Sequence, residues 1–351
     1  MRFERATAFL ITCLSFVVMS HLTARNTAEH GEIQWRELPE LPQALGGQFV
    51  GVIDDHLVVA GGSYFHTPPW DGGKKIWVDT VYTLGRDSQH WKLAGRLPTA
   101  LGYGASITTA AGMLCIGGQT PTKCSRKAYR LRLRRETLQI DELPELPEPI
   151  SMLGGALSGN TVYIAGGQNS PVATSALHSF FSLSLENPLR WIREPQWPGS
   201  PRMLPLLAGD RSEVFLLSGA DLTGSLGPPP GRRFLKDAFR FSHSAGWTKI
   251  PNLPRSVQGG VALIWHGHLL VFSGNDGSLA DREYELKYNH PGFSRDVLEL
   301  DSQPGEWIRI GSMPYSLVTT GIVVWGDELV IAGGEIHPAV RSARVIASRL
   351  M

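Results

Sequence analysis

The chain has little net charge and few cysteines, and its one long apolar run lies within the first 29 of its 351 residues. Lysine and arginine number 33 against 32 acidic residues, so the formal net charge is +1. This balance gives no electrostatic reason to expect nucleic acid or an acidic membrane surface as a partner. Glycine (39) and tryptophan (10) are abundant, and 42% of residues are hydrophobic. Glycine-rich sequence with regular apolar strands predicts an all-β fold with a large core.

The first 29 residues have the pattern of a secretory signal peptide. Arg2 and Arg5 precede a nearly uninterrupted apolar run over residues 6–19, and small residues at Ala24 and Ala28 offer cleavage points. The run is short for a membrane-spanning helix. We therefore predict export to the periplasm or the outside, with no stable membrane association after cleavage. An uncleaved N-terminal anchor is the alternative.

The cysteines leave one question open. Cys13 lies within the apolar run, and the mature chain keeps Cys115 and Cys124, nine residues apart. Export permits a disulfide between them. Two buried or free thiols are the equal alternative, because spacing does not reveal whether the geometry of a disulfide is met.

An apolar strand that ends in small residues occurs six times along the chain. The last glycines of the six copies are Gly62, Gly118, Gly167, Gly219, Gly274 and Gly334. They are 56, 49, 52, 55 and 60 residues apart. A period near fifty is typical of kelch-type propeller blades of four strands. The sequence therefore predicts a six-bladed kelch-type β-propeller over residues 30–351, as one domain.

Tryptophans and the chain termini complete this prediction. Five copies begin an outer strand with a tryptophan that we expect to pack between neighbouring blades, namely Trp35, Trp91, Trp191, Trp247 and Trp307. The last copy lacks an outer strand, and the strand from Ile33 to Leu38 has no blade before it. We predict that this N-terminal strand completes the sixth blade, since closure of the ring removes exposed strand edges.

The residue after each last glycine should surround the central channel on one face of the ring. These residues are Ser63, Gln119, Gln168, Ala220, Asn275 and Glu335. Long loops follow Gly62, Gly219 and Gly274 on the same face, which is therefore the predicted functional face. One carboxylate among neutral residues suits a general acid or base. Alternatively, Glu335 pairs with Arg341 and only maintains the shape of the loop.

The order Glu335, five residues, Arg341 after a Gly-Gly strand resembles the catalytic blade of the N-acetylneuraminate epimerases, also called sialic acid mutarotases. Residues 307–315 and 321–324 follow that blade's pattern, and residues 288–296 resemble the loop before it. In the better-known form this blade lies in mid-chain.

Here the matching blade comes last, and the copies holding residues 46–47 and 100–104 look like that form's final blades. The chain is thus similar to a cyclically permuted branch of the family, a cut that a closed ring tolerates. The resemblance covers residue 33 to the end of the chain.

The resemblance implies interconversion of the anomers of a sialic acid, with no metal or other cofactor required. It implies that Glu335 accepts a proton, and that Arg341 either binds the sugar carboxylate or lowers the pKa of Glu335. Tyr103 and Arg202 match family positions and are candidates for substrate binding, with packing or surface roles as the alternative.

Other polar residues on the predicted face are further candidates. Gln119, Gln168 and Asn275 are placed to bind sugar hydroxyls, or else to cap strand ends. Two loop histidines, His337 and His290, are treated as bystanders.

The fourth copy's acid, Asp221, and its basic residues, Arg232 and Arg233, lie too far apart in sequence to mimic Glu335 and Arg341. We predict no catalytic role for them.

Two other functions compete with the mutarotase interpretation. A non-catalytic kelch module would bind a protein with its loops, and the proline-rich segment at residues 228–230 suits that role. A copper radical oxidase would need a cysteine crosslinked to tyrosine and histidines at the metal. Cys115 lies within a strand, and His266 and His268 flank a hairpin turn on the opposite face. The sequence therefore disfavours the oxidase.

Overall fold

The structure, a computed structural model, describes residues 33–224, 231–301 and 305–350. The predicted signal peptide and the proline-rich segment at 228–230 lie outside the described residues. Six four-stranded antiparallel sheets follow one another along the chain. The predicted six-bladed β-propeller is confirmed.

In the first three blades, each chain segment builds its sheet from the channel outwards. From inner to outer strand, these blades contain β2 (Phe49–Ile53), β3 (His56–Ala60), β6 (Thr80–Leu84) and β7 (Lys92–Arg96); β8 (Ala105–Thr109), β9 (Gly112–Ile116), β10 (Ala128–Arg134) and β11 (Thr137–Glu142); and β12 (Gly154–Ser158), β13 (Thr161–Ala165), β14 (Phe180–Ser184) and β15 (Ile192–Arg193).

The fourth and fifth blades repeat this order, and the sixth takes its outer strand from the N-terminal part of the chain. These blades contain β16 (Leu206–Gly209), β17 (Val214–Leu217), β20 (Ala238–Ser242) and β21 (Gly246–Ile250); β22 (Val261–Trp265), β23 (His268–Phe272), β24 (Asp296–Asp301) and β25 (Glu306–Ser312); and β26 (Ile322–Trp325), β27 (Glu328–His337), β28 (Val340–Arg349) and β1 (Gln34–Leu38).

Short elements occupy the loops of one face. They are the hairpins β4 (Ser63–Phe65) with β5 (Lys75–Trp77) and β18 (Ala220–Leu222) with β19 (Arg232–Phe234), the helix α1 (Glu283–Leu286), and 3-10 turns at Pro69–Asp71, Ala280–Arg282 and Lys287–Asn289. They belong to the long loops after Gly62, Gly219 and Gly274.

The N-terminal strand closes the ring, as predicted. Strand β1 pairs antiparallel with β28, so that Gln34 lies opposite Arg349 and Leu38 opposite Val345. The Arg36 guanidinium adds a two-pronged ion pair to Glu328 at the start of β27, with N–O distances of 2.8 and 2.6 Å. The sixth blade therefore joins the two ends of the described chain by backbone pairing and by charge.

A ring of six backbone hydrogen bonds surrounds the channel. In each blade, one residue just before the inner strand has a left-handed backbone with φ between 49° and 70°: Gly47, Tyr103, Met152, Leu204, Gly259 and Thr319. Each donates its N–H to the carbonyl oxygen of the previous member, and Gly47 donates to Thr319, over distances of 2.6–3.1 Å. These six bonds close a circle, which fixes the relative positions of the channel-lining residues of all six blades.

The tryptophans link neighbouring blades, as predicted. The indole N–H of Trp91 donates to the carbonyl oxygen of Pro39 at 2.8 Å, and that of Trp247 to Pro195 at 2.7 Å. The remaining three make the equivalent bond, Trp35 to Ser312, Trp191 to Pro144 and Trp307 to Pro251. Each bond links the outer edge of one blade to a carbonyl oxygen at or just after the end of the outer strand in the preceding blade.

The core lies between neighbouring sheets. One cluster joins Phe49 and Val58 of the first blade to Met113 and Tyr129 of the second. Glycine on an inner strand permits this approach, because a Cβ on Gly51 would lie 2.5 Å from the Met113 side chain. At this position, close packing between blades is therefore a contact of backbone with side chain.

Both cysteines of the described chain are buried and free. Burial raises the pKa of both thiols, and Cys124 contacts the Ser151 hydroxyl at 3.2 Å. The open question of a disulfide is therefore settled in favour of two thiols. Among the residues described, no helix is long and apolar enough to span a bilayer.

Candidate active site

A cavity of about 380 Å³ opens above the channel on the face that carries the long loops. Its polar and charged lining consists of Lys75, Tyr103, Arg232, Gln258, Asn275, Glu283, Thr319, Glu335 and Arg341, and its aromatic lining of Phe65, Trp70, Tyr284 and Phe293. The first, fourth, fifth and sixth blades all supply loop residues. A volume of this size suits a small molecule.

Glu335 occupies the position after the last glycine in the sixth blade. The equivalent residues of the other five blades form the same isolated backbone bridge, which for Glu335 is to Val318. Its carboxylate Oε1 accepts a hydrogen bond from the Thr319 hydroxyl at 2.8 Å. Oε2 lies 2.5 Å from Nη1 of Arg341 and accepts the Ala339 N–H at 3.2 Å. The carboxylate is therefore held in one orientation at the cavity wall.

The pKa of Glu335 is lowered although the side chain is only 14% exposed. Burial acts to raise this pKa, but the positive charges of Arg341 and Lys75 and the Thr319 hydrogen bond outweigh it. Glu335 is therefore a carboxylate at neutral pH, which is the form that accepts a proton.

Arg341 is committed to neighbours within the protein. It lies opposite Glu335 in the β27–β28 hairpin, and its Nη2 donates to the Tyr103 hydroxyl at 2.8 Å. Its side chain crosses Gly46, where a Cβ would come within 2.6 Å of its Cδ and Nε. Arg341 is thus ion-paired with Glu335 and hydrogen-bonded to Tyr103, while its Nε has no acceptor among the described residues. The ion pair is the arrangement that lowers the pKa of Glu335.

Tyr103, a candidate for substrate binding, lines the cavity. Its hydroxyl receives hydrogen bonds from Arg341 and, at 3.2 Å, from Nζ of Lys75. Burial acts to raise the pKa of Tyr103, but Arg341 and Lys75 together bring it below its ordinary value. Tyr103 thus connects two cations of the cavity lining.

Arg202 does not reach the cavity, and its proposed substrate contact is corrected. Its side chain is fully buried, with Nη1 and Nη2 at 3.1 and 2.8 Å from the Asp237 carboxylate and Nη1 at 2.9 Å from the Ser218 carbonyl oxygen. Arg255 makes the equivalent contacts to Asp296 and Ser273 in the next blade. Such a repeated arrangement supports the blade, since a guanidinium held this way has no free face for a ligand.

The three amide candidates differ in position, since only Asn275 is in the cavity lining. Gln119 and Gln168 are buried beside the cavity's lining and bind each other at 3.3 Å, and Oε1 of Gln119 also accepts the Ser151 hydroxyl at 2.7 Å. Their side chains thus bind each other and Ser151, and neither residue is in the cavity lining. Asn275 lines the cavity. The bystander histidines His290 and His337 are not among the lining residues.

Sequence reasoning identified the loops but missed several residues that the loops bring to the cavity. Lys75 and Trp70 come from the loop after Gly62, and Glu283 comes from the loop after Gly274. Arg232 lines the cavity although no role was predicted for the fourth copy. Charge in those long loops was the available signal, but repeat spacing does not tell which loop residues point inward.

Several donors at the cavity have no acceptor within the described part of the protein. The buried N–H groups without a partner include Trp70 Nε1, Arg232 Nε, Gln258 Nε2 and Arg341 Nε. All four are donors, and a buried donor without an acceptor is costly. The four donors belong to residues that border the cavity, but the atoms themselves are covered by protein.

The fold and cavity define a β-propeller with a charged, open cavity on its loop-bearing face. The lining holds three cations, Lys75, Arg232 and Arg341, against two carboxylates, Glu283 and Glu335. Within residues 33–224, 231–301 and 305–350 no group of three or more His, Cys, Asp or Glu side chains is arranged to hold a metal ion.

The chain is similar in sequence to curated proteins named N-acetylneuraminate epimerase. The protein of that name from Pasteurella multocida is 24% identical over 229 residues, 58% of each chain. The one from Brucella suis is 32% identical over 130 residues, 32% of this chain and 33% of the relative. N-acetylneuraminate epimerase 1 of Escherichia coli O6:H1 is 34% identical over 102 residues, 26% and 27% of the chains. The chain thus spans 58% or less of the length of these relatives.

The solved structure of a protein called YjhT has the same fold. It superposes with a TM-score of 0.66 at 14% identity, and the match covers 88% of this chain and 95% of YjhT. No family model matches the chain.

Proposed function

We propose that the protein is a sialic acid mutarotase, which interconverts the α and β anomers of N-acetylneuraminate by opening and closing the pyranose ring. The observation that carries the proposal is the Glu335 carboxylate, ionised and fixed at the wall of a cavity that is otherwise rich in donors and cations. The names of the similar curated proteins support the substrate.

The chemistry needs one base and one acid. The Glu335 carboxylate removes the proton of the anomeric hydroxyl, the C2–O2 bond becomes a carbonyl, and the C2–O6 bond breaks as O6 takes up a proton. Rotation about the C2–C3 bond presents the other face of the carbonyl, and the reverse transfers close the ring. A lowered pKa keeps Glu335 able to accept the proton at neutral pH.

The anionic group of the sugar suits the rest of the lining. Arg232 keeps a buried Nε–H without an acceptor among the described residues, and Lys75 places its ammonium group near Tyr103. We assign the sugar carboxylate to these cations, since Arg341 is engaged by Glu335 and Tyr103. A cavity of about 380 Å³ lined by three cations favours this function over a protein-binding module, whose contacts would be at exposed loops.

The proposal is tested by proton NMR of freshly released α-N-acetylneuraminate. We expect the wild-type protein to speed conversion to the β anomer well beyond the buffer rate. The methyl ester of the sugar, which keeps the anomeric hydroxyl but loses the negative charge, serves as the comparison and should be converted more slowly. Conversion of the free acid at the buffer rate would exclude this function.

We further propose that the blades are kelch repeats in a cyclically permuted order, and that the mature protein is exported after removal of residues 1–29. Collinear alignment of a permuted ring covers only part of each chain, and matches of 58% or less are compatible with this. Mass spectrometry of protein recovered from the producing cell's periplasm or medium tests the export proposal. An intact N-terminus in the cytoplasmic fraction would contradict it.

A further inference from the structure

Glu283 is a second carboxylate at the cavity, and its loop is fixed over the mouth. It is the first residue of α1, in the loop between β23 and β24. The Tyr288 hydroxyl of the same loop donates to Asp71 of the first blade's loop at 2.7 Å. The rings of Tyr284 and Trp70 meet edge to face, 5.3 Å apart. These contacts between two loops hold α1, and with it Glu283, against the cavity.

The neighbours of Glu283 orient its carboxyl group. Asn275 accepts the Gly277 N–H with its Oδ1 at 2.9 Å, so its amide N–H is left to donate to Glu283. The charged groups that face Glu283 are Arg232 of β19 and Glu335 of β27. Charged residues of its own loop, Arg282 and Glu285, pair with each other at 2.7 Å on the exposed side.

Glu283 and Glu335 are in opposite electrostatic situations. Burial raises the pKa of Glu283, and the negative charge of Glu335 adds to this, while Arg232 and Asn275 oppose it. At Glu335 the cations Arg341 and Lys75 lower the pKa. Two carboxyl groups in one cavity whose pKa values are shifted in opposite directions are typical of an acid and a base.

We propose that the carboxylic acid of Glu283 delivers the proton to the ring oxygen while the carboxylate of Glu335 removes the proton of the anomeric hydroxyl. This inference rests on the proposed mutarotase function. In ring opening the C2–O6 electron pair goes to O6, which takes the Glu283 proton, and the O2–H electron pair forms the carbonyl as its proton passes to Glu335. Ring closure reverses both transfers, so each residue returns to its starting protonation state.

Tyr103 is the competing proton donor, and its contacts favour a positioning role. Arg341 and Lys75 both direct N–H groups at its oxygen, and its side chain is 6% exposed. Two cations stabilise a phenolate or a hydrogen-bond acceptor at this site. Tyr103 is therefore suited to orient Arg341 behind Glu335, whereas Glu283 borders the cavity with a carboxyl group whose pKa is raised by burial.

The test compares Glu283→Gln with Glu285→Gln, a matched change on the exposed side of the same short helix. Anomer conversion is followed by NMR from about pH 4 to about pH 9. We expect wild type and Glu285→Gln to lose activity as pH rises through the pKa of Glu283. Glu283→Gln should be slower by about 10²–10⁴-fold and should lack that alkaline decline. A merely structural Glu283 would leave the decline in place.

The outcomes separate the two claims. If wild type does not exceed the buffer rate, the mutarotase function is wrong and the inference falls with it. If wild type is active and Glu283→Gln remains within about threefold of it, or keeps the alkaline decline, only the role of Glu283 is wrong. Should Glu283→Gln fail to fold, Glu283→Asp decides, because it keeps a carboxyl group. A lower rate with a displaced decline supports the inference, and a wild-type rate and profile overturn it.

Discussion

Replacement of Glu335 by glutamine is expected to reduce the protein-catalysed rate of anomer conversion by about 10²–10⁴-fold. Glutamine keeps the shape of the side chain and accepts the Thr319 hydrogen bond, but it is not a base at any relevant pH. Its amide also leaves the buried Arg341 without a counter-charge. The measurement is the NMR time course at matched protein concentration, with the buffer rate subtracted.

Glu328→Gln is the matched control for this change. Glu328 lies at the other end of the same strand, is 5% exposed, and is ion-paired with Arg36 at 2.6 Å. It is outside the cavity lining. We expect this variant to lose stability while it keeps its activity per folded molecule. Equal loss of activity in both variants would mean that the Glu335 effect comes from a disturbed blade.

Replacement of Arg341 by methionine is expected to lower the free energy of unfolding by about 3–5 kcal/mol, because it leaves a buried carboxylate without its partner. Burial would then dominate at Glu335, and its pKa should rise. The acid side of the pH–rate profile should move to higher pH, with a lower rate at neutral pH. Urea unfolding and the NMR profile measure the two effects.

The pH dependence of stability distinguishes this explanation from simple loss of packing. In the wild type the folded-state pKa of Glu335 lies below its unfolded value of about 4.3, so its contribution is present above that value and is lost as pH falls through the folded pKa. In Arg341→Met the folded pKa is expected above the unfolded one, so stability should fall as pH rises.

Arg341→Lys serves as the intermediate case, since lysine keeps a charge but not the planar group that also reaches Tyr103. An unchanged acid limb in Arg341→Met would show that Arg341 does not set the pKa of Glu335.

The fold was predictable because each blade repeats the same local pattern. Glycine permits the close approach of Gly51 to Met113, and a tryptophan such as Trp247 bonds to a residue of the preceding blade, here Pro195. The N-terminal strand supplies the outer strand that the last blade lacks. Each of these features acts within a blade or between adjacent blades. A period in the sequence therefore specifies the ring, whichever residues fill the loops.

The site was predictable only where it follows from the repeat. Glu335 and Arg341 sit opposite each other because a short hairpin joins β27 to β28, so their spacing in sequence determines their contact. Lys75, Arg232 and Glu283 come from the long loops of the first, fourth and fifth blades. Their meeting depends on contacts between loops, such as Tyr288 with Asp71, which sequence spacing does not encode.

Arg202 was a candidate through the family resemblance, and the structure supports the packing role that was its alternative. Pro201–Arg202 has a counterpart one blade later in Pro254–Arg255. Asp237 and Asp296 stand at the corresponding positions as partners. A residue type that recurs in successive blades together with its partner is evidence of a structural role, and that signal was present in the sequence.

The most direct measurement is exchange NMR on N-acetylneuraminate at anomeric equilibrium, where no fresh anomer is needed. We predict exchange cross-peaks between the C3 protons of the α and β anomers when wild-type protein is present, and their disappearance with Glu335→Gln. Wild-type protein that binds the sugar but produces no exchange would contradict the central claim, and would identify the cavity as a binding site for the sugar acid.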